Sequence, residues 1–230
     1  MSILFEQPTC VDAWKDVSQY LLNHGPEAYN ILVSITNPIQ FDQSWLARFN
    51  PRDVNPKGDR IRDVINTIFP QKTRSNSSDR NSFYERYKRA NQRSHRRSWG
   101  SYFGRLISFG VKNKNQIEAV ITALNNWTNN PHAALTVHLS SPETDSIRPL
   151  GAPCWHYGEF LCPDSQTIEL VAVYRNHDYF NKALGNFIGL SRLLSFVCQE
   201  TSRNPGRLVC HSVHAYYHST KHDFKSLLAR

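Results

Sequence analysis

Residues 166–200 read QTIELVAVYRNHDYFNKALGNFIGLSRLLSFVCQE, and their two halves are different elements. Gln166 to Tyr174 is rich in β-branched residues and apolar enough to be covered on both faces, which reads as a strand. Leu184 to Glu200 reads as a long core helix. The apolar run Ala183–Cys198 is interrupted by Asn186, Ser191, Arg192 and Ser195, so it belongs in a core and not across a membrane. A strand, a polar joint and a buried helix set the fold class.

Elements on either side fit the same plan. His156–Cys162 is a second strand, joined to the first by a Pro163-Asp164-Ser165 hairpin turn. Arg207–Tyr217, carrying Val209 and Val213, is a final strand. Upstream, Thr9–His24 is an amphipathic helix with Thr9 and Asp12 as capping box and Gly25-Pro26 as stop. Tyr29–Ile35 is a buried strand, and Arg60–Phe69 a short helix ended by Pro70. Gln71–Asn81 is polar and expected to be mobile, and Ser82-x-x-Glu85 to cap a basic helix with Phe83, Tyr84 and Tyr87. Asn115–Trp127 is a helix on the spacing of Ile117, Val120, Ile121 and Leu124, ended by Asn130-Pro131, and Ala134–Leu139 is a strand. Strands mixed with helices make an α+β (mixed α/β) fold. Neither repeats nor a boundary divide it, so one domain over 1–230 is expected.

Charge is unevenly placed. The chain has 27 Lys and Arg, 19 Asp and Glu and a net charge of +8. Lys72–Arg105 holds ten basic residues against Asp79 and Glu85, so this segment alone accounts for the net charge. The insert-like segment at about 71–105 is either a solvated face or an anion-binding surface for nucleotide phosphates or nucleic acid. The five scattered cysteines suit a reducing compartment, and none is spaced as a zinc ligand. Met1–Glu6 lacks a basic region followed by an apolar one, so a cytoplasmic location is expected, with no metal and no membrane partner.

Candidate chemistry lies in an ordered set: Pro153-Cys154-Trp155-His156, then Tyr174-Arg175-Asn176-His177-Asp178, then Asn186, then His214-Ala215-Tyr216. Arg175 and Asp178 are three apart, and Asp178 and Asn186 eight apart. The set resembles the thymidylate synthase family, which carries Pro-Cys, Arg-Ser-x-Asp, an Asn eight residues beyond that Asp, and a terminal His-x-Tyr. The resemblance runs from about Asn115 to Tyr216.

What the resemblance implies is specific. The fold would be thymidylate-synthase-like, with a mostly antiparallel or mixed sheet and a long core helix, assembled as a homodimer through the sheet face. The activity would be one-carbon transfer, methyl or hydroxymethyl, to C5 of a pyrimidine nucleotide, with methylenetetrahydrofolate as donor. Cys154 would be the nucleophile at C6, and a nearby cation such as Arg175 would lower its pKa. Arg175 would bind phosphate. Asn186 would read the pyrimidine edge, its amide matching N3–H and O4 of uracil. His214 and Tyr216 would reach the sugar and Asp178 the pterin. Trp99, Tyr102 and Gly104 would flank the cleft. Each residue also has an ordinary structural reading: an inert buried thiol, a surface ion pair, a cap, a polar pair in a core.

The chain departs from the family at four places. Two adjacent arginines that reach the partner's phosphate are replaced by Asn130-Pro131-His132-Ala133-Ala134-Leu135. Arg96 or Arg97 would then serve the phosphate. An early-helix Glu falls in Asp63-Val64-Ile65-Asn66-Thr67, which has none. The family's Tyr-Gly becomes Tyr102-Phe103-Gly104, so the catalytic phenol is replaced by Phe103 or shifted to Tyr102. Fourteen residues follow Tyr216, without the folate-covering tail of longer members, which favours hydroxymethylation. These departures leave a second class open: a homologue without turnover that binds nucleotide, or nucleic acid through residues 72–105, with Tyr84, Tyr87 and Trp99 for stacking.

Overall fold

Thr9 starts the first helix as the sequence implies. Its hydroxyl oxygen accepts from Asp12 N–H at 3.2 Å, and α1 (Cys10–His24) runs to Gly25 with Val11, Trp14, Val17 and Leu21 buried. The computed structural model describes residues 2–40, 45–92, 99–127, 135–145 and 151–230. Arg93, Arg96 and Arg97, and the Asn130–Ala134 stretch, lie outside the described residues.

Strand β1 (Ile3–Gln7) precedes α1, and β2 (Glu27–Ile35) follows it. Next come helices α2 (Trp45–Arg48), α3 (Ile61–Ile68), α4 (Gln71–Ser75), α5 (Arg80–Gln92), α6 (Tyr102–Ile107) and α7 (Gln116–Asn126). Strands β3 (Leu135–His138), β4 (Trp155–Leu161), β5 (Thr167–Tyr174) and β6 (His177–Asp178) lead into α8 (Ala183–Glu200), β7 (Asn204–Tyr216) and α9 (Lys221–Leu228). The strand order is β1-β2-β7-β5-β4-β3, with β6 beside β7. β1/β2, β5/β7 and β6/β7 are parallel; β2/β7, β4/β5 and β3/β4 are antiparallel. The fold is α+β with a mixed sheet.

One face of the sheet is covered by helices, and Phe5, Val33, Leu170, Ala172 and Cys210 point into it. The other carries Leu32, Val171, Val173 and Val209 partly exposed, with Leu4 and Val213 at 69% and 39% exposure. Among the described residues of one chain, β5 is covered on one face only. No helix among the described residues is long and apolar enough to cross a membrane.

Two elements differ from the sequence reading. Gln71–Ser75 is helical, not an irregular loop, and Arg74 there pairs with Glu200 of α8 at 2.9 Å. The cap of α5 is Asp79, whose Oδ1 accepts from Ser82 N–H at 2.8 Å, so Ser82 sits inside the helix. Nor does the basic segment hang from the domain. Phe83 of α5 and Phe103 of α6 are fully buried in a cluster with Phe69 and Phe196, whose ring pairs have centroid distances of 4.9–5.9 Å. Each such burial contributes about 1.5–3 kcal/mol.

Helix α3 approaches α8 closely because α8 has Gly185 and Gly189 on that side. A Cβ at Gly185 would stand 2.8 Å from Val64 Cβ, and one at Gly189 would stand 2.9 Å from Ile68 Cβ. Such separations are well inside van der Waals contact, so only glycine permits this spacing.

Candidate active site

The sheet register gathers the ordered motifs at one end. Trp155 at the start of β4 pairs with Tyr174 at the end of β5, and Tyr174 pairs with Ser212 of β7. Cys154 therefore enters the sheet where β5 and β7 leave it, beside the first turns of α8. There a cleft of about 470 Å³ is lined, among the described residues, by Tyr102, Cys154, Asp178, Asn186 and Tyr216, with Trp99, Val64 and Thr67 opposite. That volume suits a small-molecule site.

Five of the sequence-derived residues thus share one cavity. Arg175 and His214 are outside its wall. Arg175 Nε donates to Pro153 O at 3.1 Å and its backbone N–H to Cys154 O at 2.9 Å, so it braces the Cys154 segment. His214 bridges Asn176 Oδ1 at 2.9 Å and Glu27 Oε2 at 3.1 Å, stacked between Tyr29 and Tyr216. Arg96 and Arg97 lie outside the described residues.

Tyr102 belongs to the wall by sequence and by structure. Its phenolic oxygen accepts from the N–H groups of Cys154 and Trp155, each at 3.2 Å, while Phe103 is core. Trp99 is held by Arg105, whose Nε donates to Trp99 O at 2.9 Å and whose guanidinium lies 5.5 Å from the indole centre. Helix α3 does face the cleft where the family's Glu is expected, but through Val64 and Thr67. Asp63 and Asn66 point to solvent.

Asp178 is nearly buried. Its Oδ1 accepts from Phe180 and Asn181 N–H at 3.0 Å, and its Oδ2 from Asn181 Nδ2 at 2.9 Å. Burial raises its pKa, and the Asn181 and Phe180 hydrogen bonds and the Lys182 charge only partly offset that rise. Tyr216 is pushed up to about 12, first by burial and then by the nearby Asp178 charge.

Asn186 carries the most informative atom. Its Oδ1 is buried without a hydrogen-bond partner, whereas its Nδ2 donates to His177 Nε2 at 3.2 Å. A buried carbonyl left bare costs about 1–3 kcal/mol, and this one belongs to a residue of the cleft wall. His177 and Lys182 are wall residues to which the sequence reading gave no role. His177 occupies the unspecified position of the motif, and its burial depends on β6 pairing with β7. Lys182, four residues before Asn186, brings a cation to the wall and pairs there with Asp59.

Much of the basic segment is neutralised internally. Arg80 bridges Glu118 at 2.9 Å and Glu200 at 2.8 Å, Lys88 pairs with Glu85, and Arg105 forms a buried bidentate pair with Asp145 at 2.6 and 2.7 Å. Tyr84 is buried and donates to Glu118, so it is not available for stacking.

No family model matches this chain. Over 114 residues it is 32% identical to a curated protein of Methanococcoides burtonii named "Putative thymidylate synthase". The match covers 49% of this chain and 49% of that protein, so the similarity spans about half the length of the curated relative.

Proposed function

We propose that the chain is a pyrimidine-nucleotide transferase that adds a methyl or hydroxymethyl group at C5. The observation that carries this reading is that Asn186, whose buried Oδ1 has no hydrogen-bond partner, lines the same cleft as Cys154. The similarity to the archaeal protein supports it as well.

In this reading Cys154 Sγ adds to C6 of the pyrimidine, which leaves C5 nucleophilic. Tyr102 fixes the backbone that carries the thiol. Asn186 holds the base edge and Tyr216 the sugar, Arg175 braces the Cys154 segment, and Arg96 or Arg97 would meet the phosphate. Methylenetetrahydrofolate would supply the one-carbon unit. The apolar wall of Val64, Trp99 and Tyr102 beside the buried Asp178 carboxyl suits a flat polar heterocycle, and Asp178 would hold its pterin. Two chains would pair through the partly exposed sheet face.

A nucleic-acid-binding homologue without turnover is less well supported. Four of its basic side chains, Arg74, Arg80, Lys88 and Arg105, are engaged by carboxylates. Tritium release from C5-labelled uridine and cytidine nucleotides, with and without methylenetetrahydrofolate, separates the two. Release that requires Cys154 supports the transferase, and its absence with every nucleotide and donor would sink it.

A further inference from the structure

We propose that His177, which is packed behind Asn186, sets which pyrimidine the cleft accepts by holding the Asn186 amide in one orientation. This rests on the pyrimidine reading given above. A carboxamide is ambiguous by itself. Rotated by half a turn, it exchanges its oxygen for its nitrogen, and so fits a ring edge of either polarity. Uracil presents N3–H beside O4, and cytosine a bare N3 beside an amino group. Asparagine discriminates only if something behind it fixes the turn.

Here the fixing group is a buried relay. Asn186 Nδ2 donates to His177 Nε2 at 3.2 Å, and His177 Nδ1 lies 2.8 Å from Ser212 Oγ. Ser212 Oγ in turn lies 3.2 Å from the Tyr179 hydroxyl. The His177 ring is clamped flat on Tyr174, with centroids 4.2 Å apart and planes within 6°, and edge-on against Phe187 at 5.5 Å. His177 is 1% exposed, and no charged side chain is among these neighbours.

Burial in that setting lowers the His177 pKa to about 3, so the ring is neutral at physiological pH. A neutral imidazole has one donor and one acceptor. With Nδ1–H donating to Ser212, Nε2 is an acceptor and takes the Asn186 N–H. The amide oxygen is thereby turned away from His177, as the buried, bare Oδ1 of a residue in the cleft wall. Reversing the amide would require the other tautomer and reorientation of the Ser212 and Tyr179 hydroxyls, all inside the core.

The polarity matters because of where the base would sit. N3 lies across the ring from C6, the atom assigned to Cys154. An acceptor held at that ring edge would meet N3–H of uracil as a hydrogen bond, but the N3 lone pair of cytosine as a repulsion. Exclusion of the wrong base by an unpaired polar atom discriminates strongly. His177 is thus a positioning residue acting through Asn186.

Calorimetric binding of uridine and cytidine monophosphates, ribo and deoxy, tests this on the intact chain. The wild type should favour uridine by at least about tenfold, the scale of one hydrogen bond gained against one clash. His177→Gln offers Asn186 either a donor or an acceptor, so the ratio should fall towards one as cytidine affinity rises. A merely structural role would lower both affinities together and leave the ratio unchanged, which overturns the proposal alone. Wild-type protein that binds neither nucleotide overturns the pyrimidine reading with it. Should His177→Gln fail to fold, nitrogen-15 histidine spectra of the wild type decide. A protonated Nδ1 with a bare Nε2 supports the relay, and the opposite tautomer refutes it.

Discussion

The phenolic oxygen of Tyr102 lies 3.2 Å from the backbone nitrogen of Cys154. It lies equally far from the nitrogen of Trp155, so α6 holds the strand start that carries the thiol. Tyr102→Phe would strip an acceptor from two backbone donors. The expected loss is about 1–3 kcal/mol in urea unfolding, together with reduced turnover. A variant as stable and active as the parent would show that the phenol is not an anchor.

Cys154 is only half-buried, at the margin of the core. Cys154→Ala should therefore leave stability within about 1 kcal/mol while abolishing C5 tritium release. Turnover near the wild-type level would remove the thiol from the mechanism.

His177 also gives the protein an acid sensitivity. An unfolded imidazole takes its proton at about 6.5, whereas the buried ring waits until about 3. Across that window the unfolded chain binds more protons, so stability falls as pH falls, with a slope approaching 1.4 kcal/mol per pH unit. The groups around the ring, Tyr174, Tyr179 and Cys210, have pKa values raised by burial and stay neutral there. Half-buried His156, lowered by burial and then by Arg175, acts in the same direction; Asp178, with its raised pKa, acts against both. His177→Phe should flatten the urea midpoint between about pH 7 and about pH 4.5. An unchanged slope would mean that His177 is protonated in the folded protein.

Arg105 and Asp145 are nearly buried, and Arg105 also ties Trp99 and Leu139. Burial alone would raise the Asp145 pKa, but the Arg105 and Ser141 hydrogen bonds bring it below its ordinary value. Arg105→Ala should cost about 3–5 kcal/mol. Exposed Arg86 and Arg89 should each change stability by less than about 0.5 kcal/mol when replaced by Ala. Thermal unfolding of the three variants makes the comparison. Equal effects would return Arg105 to the class of solvated surface charges.

The partly exposed valines of β5 and β7 make the dimer testable. Sedimentation at micromolar protein should give twice the monomer mass, and Val173→Glu should return it to the monomer. A parent that sediments as a monomer would refute the pairing.

Most regular elements were legible because their signals are local. Capping at Thr9 and Asn115, and the apolar run of α8, mark their helices without help from the rest of the chain. Strand β1 was not, since five residues at a sheet edge carry too little pattern. Helix α4 was missed because its polar sequence depends on Arg74 reaching Glu200, over a hundred residues away. The cleft residues Cys154, Asp178, Asn186 and Tyr216 could be named from motif spacing. The His177 relay could not, because its partners Ser212 and Tyr179 meet it only once β6 lies against β7. The ion pairs inside the basic segment were hidden for the same reason: Glu118 and Glu200 are remote in sequence and adjacent in space.

Val64 and Thr67 stand on α3 and Asn186 on α8, so these helices are the two jaws of the cleft. Their separation is fixed by methyl groups that Gly185 and Gly189 lack. The gauge of the opening is therefore not written in the residues that face it. A lineage adapting this scaffold to a bulkier base need not carve its wall. A single carbon at Gly189, one turn beyond Asn186 and facing Ile68, would lever α3 outward and resize the opening while every wall residue stayed the same.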